Sequence, residues 1–256
     1  MNIAQTRNPQ KMKKSSLIIG RQPLIEAIQS GRALDKILMQ RNGTGEIVDE
    51  IRQLARDNNI PVQMVPVEKL YSLTKANHQG VIAFAALVQY LDLQQVIDEV
   101  VASGIPPLFV MLDGVTDVRN IGAIARTAVC CGAQALLIPD KGVGALNEEA
   151  MKSSAGALER IHVCRVNSLL KAVDTLHLNG IRVFTSEMQA EKKIFELDMV
   201  APCCMVMGSE DKGVQPYIRK AADEHFTIPM TGDFDSLNVS VAAGIILYEA
   251  MKQRLP

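Results

Sequence analysis

A chain of 256 residues, 48% of them apolar, has enough material for one large or two small domains with a proper core. Its 27 Lys and Arg against 28 Asp and Glu exclude a uniformly basic nucleic-acid binder. No apolar run reaches the roughly 18 residues of a membrane span and the N-terminus lacks a signal-peptide core, so a soluble, cytoplasmic protein is expected. Residues 1–16 are polar, with Lys11, Lys13 and Lys14 clustered, and read as a flexible basic arm. Residues 17–88 read as a compact α/β unit. Strands are expected at 17–19, 34–39, 60–65 and 81–88, and helices at 23–30, 46–56 and 67–73. Asn77, His78, Gln79 and Gly80 make the turn before the last of these strands, where a lone His is usually just a turn residue. Residues 1–90 hold 12 Lys and Arg against 7 Asp and Glu, whereas residues 91–256 hold 15 against 21. A basic front on an acidic body suggests that the front meets an anion such as RNA, with Arg21, Arg32 and Arg41 as exposed candidates.

Residues 89–106 read as a linker, helical over 91–104 by the spacing of Leu93, Val96, Val100 and Val101 and ended by Pro106 and Pro107. Residues 107–256 then alternate apolar strands (108–112, 135–138, 162–165, 182–185, 203–207, 225–228) with helices (121–131, 148–155, 168–178, 216–222, 238–254). Near-continuous apolar strands alternating with helices imply an α/β fold, a parallel sheet covered on both faces. The five cysteines show no C-x-x-C spacing, so they read as small core residues, with neither a disulfide framework nor a metal site.

In such a sheet ligands bind outside the carboxyl ends of the strands. Three loops there are rich in Gly and polar residues: 113–120, 208–213 and 229–237. The last opens a helix with no charge from Val239 to Tyr248, which Ser236 or Asn238 could cap and which asks to be buried on more than one side. The dinucleotide fingerprint, the P-loop and the nucleophile elbow are all missing from the sequence.

The three segments, in this order, resemble the signature motifs of the SpoU (TrmH-type) RNA 2'-O-ribose methyltransferases of the SPOUT superfamily. They are NIGAIARTA from Asn120 to Ala128, MGSEDKG from Met207 to Gly213, and IPM at 228–230 followed by SLNVSVA from Ser236 to Ala242. Residues 17–88 resemble that family's ribosomal-protein-like substrate-binding domain. Val118 stands where the family usually has Pro, and Asp211 where Gly is common.

The resemblance implies a trefoil-knotted C-terminal domain, a homodimer joined through that domain and its last helix, RNA as partner, and S-adenosylmethionine as cofactor with no metal. By motif position Gly208, Ile228, Met230, Leu237 and Asn238 are expected around the cofactor. Arg126, Asn120, Glu210, Ser236 and Asn238 are expected around the transferred methyl group. Because a guanidinium keeps its proton, Arg126 is assigned the electrostatic task of holding a phosphate and stabilising the growing oxyanion. The plainer alternatives are a buried ion-pair partner for Arg126, a surface charge for Glu210 and a simple helix cap for Ser236. The expected substrate is large-subunit (23S) ribosomal RNA of the guanosine-methylating type. Transfer RNA is the alternative within the same chemistry, and a non-catalytic RNA-binding protein is the alternative outside it.

Overall fold

The structure, a computed structural model, describes residues 17–140, 142, 146–232 and 236–255. The arm expected at 1–16 and residues 233–235 of the polar loop lie outside the described residues. The first domain contains β1 (Leu17–Ile19), α1 (Arg21–Gln29), β2 (Leu34–Gln40), α2 (Glu46–Asp57), β3 (Val62–Val65), α3 (Val67–Leu73) and β4 (Val81–Ala85). Its sheet runs β1-β4-β2-β3, antiparallel except for β2 with β3. Leu24, Ile28, Ile51 and Ala55 bring α1 and α2 onto one face, and Leu70 brings α3 onto the other against Leu38 and Ile82. His78 lies in the turn before β4, as expected, and is buried there. Its Nδ1 accepts from the Gly80 amide at 3.0 Å, and Tyr71 stands edge-on to its ring at 4.6 Å. The strand expected over 81–88 ends at Ala85, because Leu87 and Val88 join the core of the second domain.

The second domain contains β5 (Tyr90–Leu91), α4 (Leu93–Ala102), β6 (Leu108–Asp113), α5 (Val118–Cys130), β7 (Ala135–Pro139), α6 (Glu148–Ser154), β8 (His162–Val166) and α7 (Leu169–Leu178). It continues with β9 (Arg182–Ser186), β10 (Lys192–Lys193), β11 (Cys203–Gly208), α8 (Pro216–Ala221), β12 (Glu224–Thr227) and α9 (Val239–Arg254). The strands form one sheet in the order β10-β12-β9-β11-β6-β7-β8-β5, and every neighbouring pair is parallel. Successive strand residues face opposite ways. Leu108, Val110 and Leu112 therefore pack with α5, α6 and α9, while Phe109 and Met111 pack with α4, α7 and α8. The segment read as a linker is part of this packing. Tyr90–Leu91 pairs with β8, and α4 buries Leu93, Val96, Ile97 and Val100 against Phe109 and Val173. The apolar spacing that predicts its helix also creates a face that needs covering.

Arg254 fixes α9 across the sheet. Its guanidinium donates to the carbonyls of Met199 and Pro106, both at 2.7 Å, and of Pro107 at 2.9 Å, next to the amino ends of β6 and β11. The other end of α9 therefore lies at the carboxyl edge. Its buried face is Val239, Ala243, Ile246, Leu247 and Ala250. Burial on more than one side is not met within one chain, since Val241 (51%), Ile245 (39%) and Tyr248 (60%) stay exposed along one stripe.

Cys164, Cys203 and Cys204 are buried as expected. Burial pushes the Cys164 thiol up to about 12 and that of Cys203 to about 11, which leaves both unreactive. Cys130 is instead exposed, because it lies off the face of α5 that buries Ile121, Ile124, Ala125 and Ala128.

Candidate active site

β6 leads through α5 to β7 on one side, and β11 leads through α8 to β12 on the other. Two adjacent parallel strands whose connections diverge leave a crevice at their carboxyl ends, the usual ligand site of open α/β sheets. Its framework is the buried Asp113 at the end of β6. The Asp113 carboxylate accepts from the Gln215 amide at 2.6 Å and from the Gln215 side chain at 3.2 Å, tying β6 to the start of α8.

Asp117 caps α5 by accepting from the Arg119 amide at 2.8 Å, and the bonds it accepts from Arg119 hold its carboxyl below the ordinary aspartate value. Val118 is thus the first helical residue, a position where Pro is favoured and where the Asp117 cap makes it unnecessary. α5 lies tight on α6 because residue 122 is Gly. A Cβ there would come within 2.5 Å of the Ala150 carbonyl oxygen.

The second loop folds on itself. Ser209 and Gly213 exchange backbone bonds at 3.1 and 2.8 Å. A Cβ on Gly208 would run into the backbone of Gly213 and Val214, so only glycine allows this closure. Asp211 is absent from the positive-φ positions, so a side chain there causes no backbone strain. The loop holds Glu210 out towards the first turns of α5 and α9.

There the three loops meet. Glu210 Oε1 accepts from Asn238 Nδ2 at 2.7 Å, from Asn120 Nδ2 at 3.3 Å and from the Val239 amide at 3.4 Å. Asn238 Nδ2 also reaches Asn120 Oδ1 at 3.3 Å. Asn238, not Ser236, caps α9, its Oδ1 accepting from the Ser240 amide at 2.9 Å. The carboxylate therefore faces the positive end of α9.

Two chambers flank the Ser209–Gly213 loop. One, of about 440 Å³, has Gly208, Ile228, Met230, Ser236 and Leu237 on its wall. Its backbone-rich strand ends and aliphatic side chains suit an adenine-bearing ligand, and its size falls in the range of small-molecule sites. Asn238 stands behind this wall, in the triangle with Glu210 and Asn120. The other chamber, of about 500 Å³, has Asn120, Asp117 and Gln215 on its wall and shares Glu210 with the first. Arg126 lines neither. It lies six residues beyond Asn120, about 9 Å along α5 and on another face. It is exposed and makes no hydrogen bond or ion pair among the described residues.

The family model of the SpoU rRNA Methylase family matches residues 107–248. The chain belongs to this family. A second family model, RNA 2'-O ribose methyltransferase substrate binding, matches residues 17–91. A relative from Staphylococcus saprophyticus, named for the TrmH family of tRNA/rRNA methyltransferases, is 36% identical over 238 residues, covering 93% of this chain and 96% of its own. YacO of Bacillus subtilis, named for the same family, is 34% identical over 239 residues, with 93% and 96% covered. The solved structure of the SpoU methyltransferase AviRb from Streptomyces viridochromogenes with AdoMet superposes with a TM-score of 0.60 at 25% identity, covering 93% of this chain and 90% of that one.

In this SpoU family member the cofactor-sized chamber has a fourth wall that the three motifs did not indicate. Glu187, just past β9, and Arg219 of α8 both line it. Glu187 is held by Thr185 Oγ1 and His225 Nδ1, each at 3.2 Å, and by Arg219 at 3.5 Å. The signal was present in the sequence, since the loop after strand 182–185 is also a carboxyl-end loop. It carries no Gly-rich pattern to draw notice.

Proposed function

We propose that the chain methylates a ribose 2'-hydroxyl of RNA, with large-subunit ribosomal RNA as the substrate, using S-adenosylmethionine held in the 440 Å³ chamber. The carrying observation is the junction of Asn120, Glu210 and Asn238 between two chambers, which suits transfer between a donor and an acceptor bound side by side. The substrate-binding family model over residues 17–91 and the AdoMet held by AviRb support the substrate and the cofactor. When bound, S-adenosylmethionine supplies a sulfonium-activated methyl carbon open to in-line displacement.

The chain's own residues then have distinct tasks. Gly208, Ile228, Met230 and Leu237 hold and desolvate the cofactor. Glu210 fixes the two asparagines, whose amides orient the acceptor. Ser236, exposed and free of capping duty on the wall of the cofactor-sized chamber, is assigned the bond to the acceptor hydroxyl. With the cofactor bound, the acceptor hydroxyl would give up its proton to water or to a phosphate oxygen while the carbon–sulfur bond breaks with its electron pair left on sulfur, and negative charge would grow on the acceptor oxygen. Arg126 meets that charge and the neighbouring phosphate. Because it is exposed on α5 and lines neither chamber, we assign it to the methyl site of a second copy packed on this surface.

The apolar stripe Val241, Ile245 and Tyr248 of α9 gives that copy a seat next to α5, where a Cβ on Gly244 would stand 4.0 Å from Thr127 Cγ2. Each copy of a cytoplasmic homodimer thus completes the site of the other. We propose that the segments following β11 and β12 belong to a trefoil knot, which would hold the cofactor walls together. The test is Arg126→Ala. Cofactor affinity by calorimetry should stay within about twofold of wild type, while methyl transfer to bulk RNA falls at least about a hundredfold. Unchanged turnover would remove Arg126 from the reaction.

A further inference from the structure

A groove of about 860 Å³ runs between the two domains. Its floor is Arg165 at the end of β8. The Arg165 guanidinium donates to the carbonyl of Asp35 at 2.8 Å and of Leu34 at 2.9 Å, and lies 3.9 Å from the Tyr90 ring centroid. The Tyr90 hydroxyl donates to Asp35 at 2.7 Å. These bonds cross from one domain to the other, so they fix the width of the groove.

The rim has a different chemistry. Lys36 and Arg56 bring two cations from the first domain, and Asn59 and Gln63 bring two amides. Asn167 faces them from the second domain, beside Pro139 at the end of β7. All but Lys36 and Pro139 are exposed, and among the described residues the side chains of Asn59, Gln63 and Asn167 make no hydrogen bond. Amides both donate and accept, so they can match the edge of an unpaired base. Two cations, Lys36 over the Phe84 ring at 5.3 Å and Arg56 bonded to Gln53 at 2.7 Å, outnumber the Asp140 carboxylate that also lines the groove and answer the phosphates beside the base. Because β7 and β8 are parallel to β6 and β11, the groove opens on the same sheet edge as Asn120 and Glu210. Three strand spacings, about 14 Å, separate β8 from β11.

We propose that this groove is a second RNA subsite, which holds one or two unpaired nucleotides flanking the methylated residue and reads them through Asn59, Gln63 and Asn167. The proposal rests on RNA being the substrate. A strand lying in the groove touches both domains at once, so its recognition requires the fixed joint made by Arg165.

The test uses the full-length protein and a 5'-fluorescein-labelled, unstructured decaribonucleotide of mixed sequence, followed by anisotropy across a salt series. The double variant Gln63→Ala/Asn167→Ala should bind roughly tenfold more weakly with an unchanged salt slope. Lys36→Ala/Arg56→Ala should lower the log–log salt slope by roughly 1.4, the loss of two phosphate contacts on a single strand. Cofactor affinity and melting temperature should be unchanged in both. Wild-type affinity and slope in both variants would overturn the subsite, as would a wild-type protein that does not bind the decamer. Methyl incorporation into total RNA by the wild-type protein is measured alongside. Its loss would count against the methyltransferase reading, and its presence with an unoccupied groove against the subsite alone.

Discussion

A single carboxylate oxygen of Glu210, in the second loop, gathers donors from the first and third, and Asn238 is the residue through which that junction bears on folding as well as chemistry. Its Oδ1 caps α9 while its Nδ2 bonds Glu210, so Asn238→Ala removes both at once. Loss of the cap costs about 1 kcal/mol. Released from its fixed partners, Glu210 no longer orients Asn120, and transfer should fall by more than about tenfold. Denaturant titration and single-turnover assays read the two effects separately. A variant with the stability loss but full turnover would reduce Asn238 to a cap. The residues of this junction were legible in the sequence as motif members, but their bonding was not. Nothing in the order of residues says that position 210 meets positions 120 and 238, since only the sheet topology brings them within 3.3 Å.

At the scale of elements, α9 is the helix whose apolar content exceeds what its own chain can cover. Ile245→Asp places a charge in the middle of the exposed stripe and leaves the buried face intact. If the proposed dimer forms through this stripe, sedimentation should then show a monomer with a near-normal melting temperature, and methyl transfer should drop because Arg126 would lose the site it is proposed to serve. A dimer that persists in this variant would move the interface elsewhere. The strands and helices followed closely from apolar periodicity, which reports burial directly. Periodicity does not report which body does the burying. Leu87 and Val88 extended one strand on paper yet belong to the next domain's core, and the expected linker helix α4 covers the sheet. The two-residue strands β5 and β10 are too short to carry any pattern.

The whole molecule depends on how the two domains are joined. Burial pushes the Asp35 carboxyl above its usual value, outweighing the Tyr90 hydroxyl and the Arg165 guanidinium, which pull it down. A raised folded value means that the folded state binds this proton more tightly than the unfolded chain does. The stability it contributes is present below the ordinary aspartate value of about 3.9 and is lost as pH rises through the folded value. Asp35→Asn keeps an acceptor for Tyr90 without the charge. The melting temperature of wild type relative to this variant should therefore decline from about pH 3.9 towards neutrality, and a difference independent of pH would show that the joint does not carry this linkage. The groove at this joint left no trace in the sequence, because its walls come from segments far apart in the chain, residues 35–63 and 138–167. The most direct measurement of the central claim uses total RNA from a strain lacking this protein, the purified chain and S-adenosylmethionine with a labelled methyl group, followed by mass spectrometry of the digested nucleosides. Label in 2'-O-methylribonucleosides is the predicted result, and label confined to base-methylated nucleosides would contradict it.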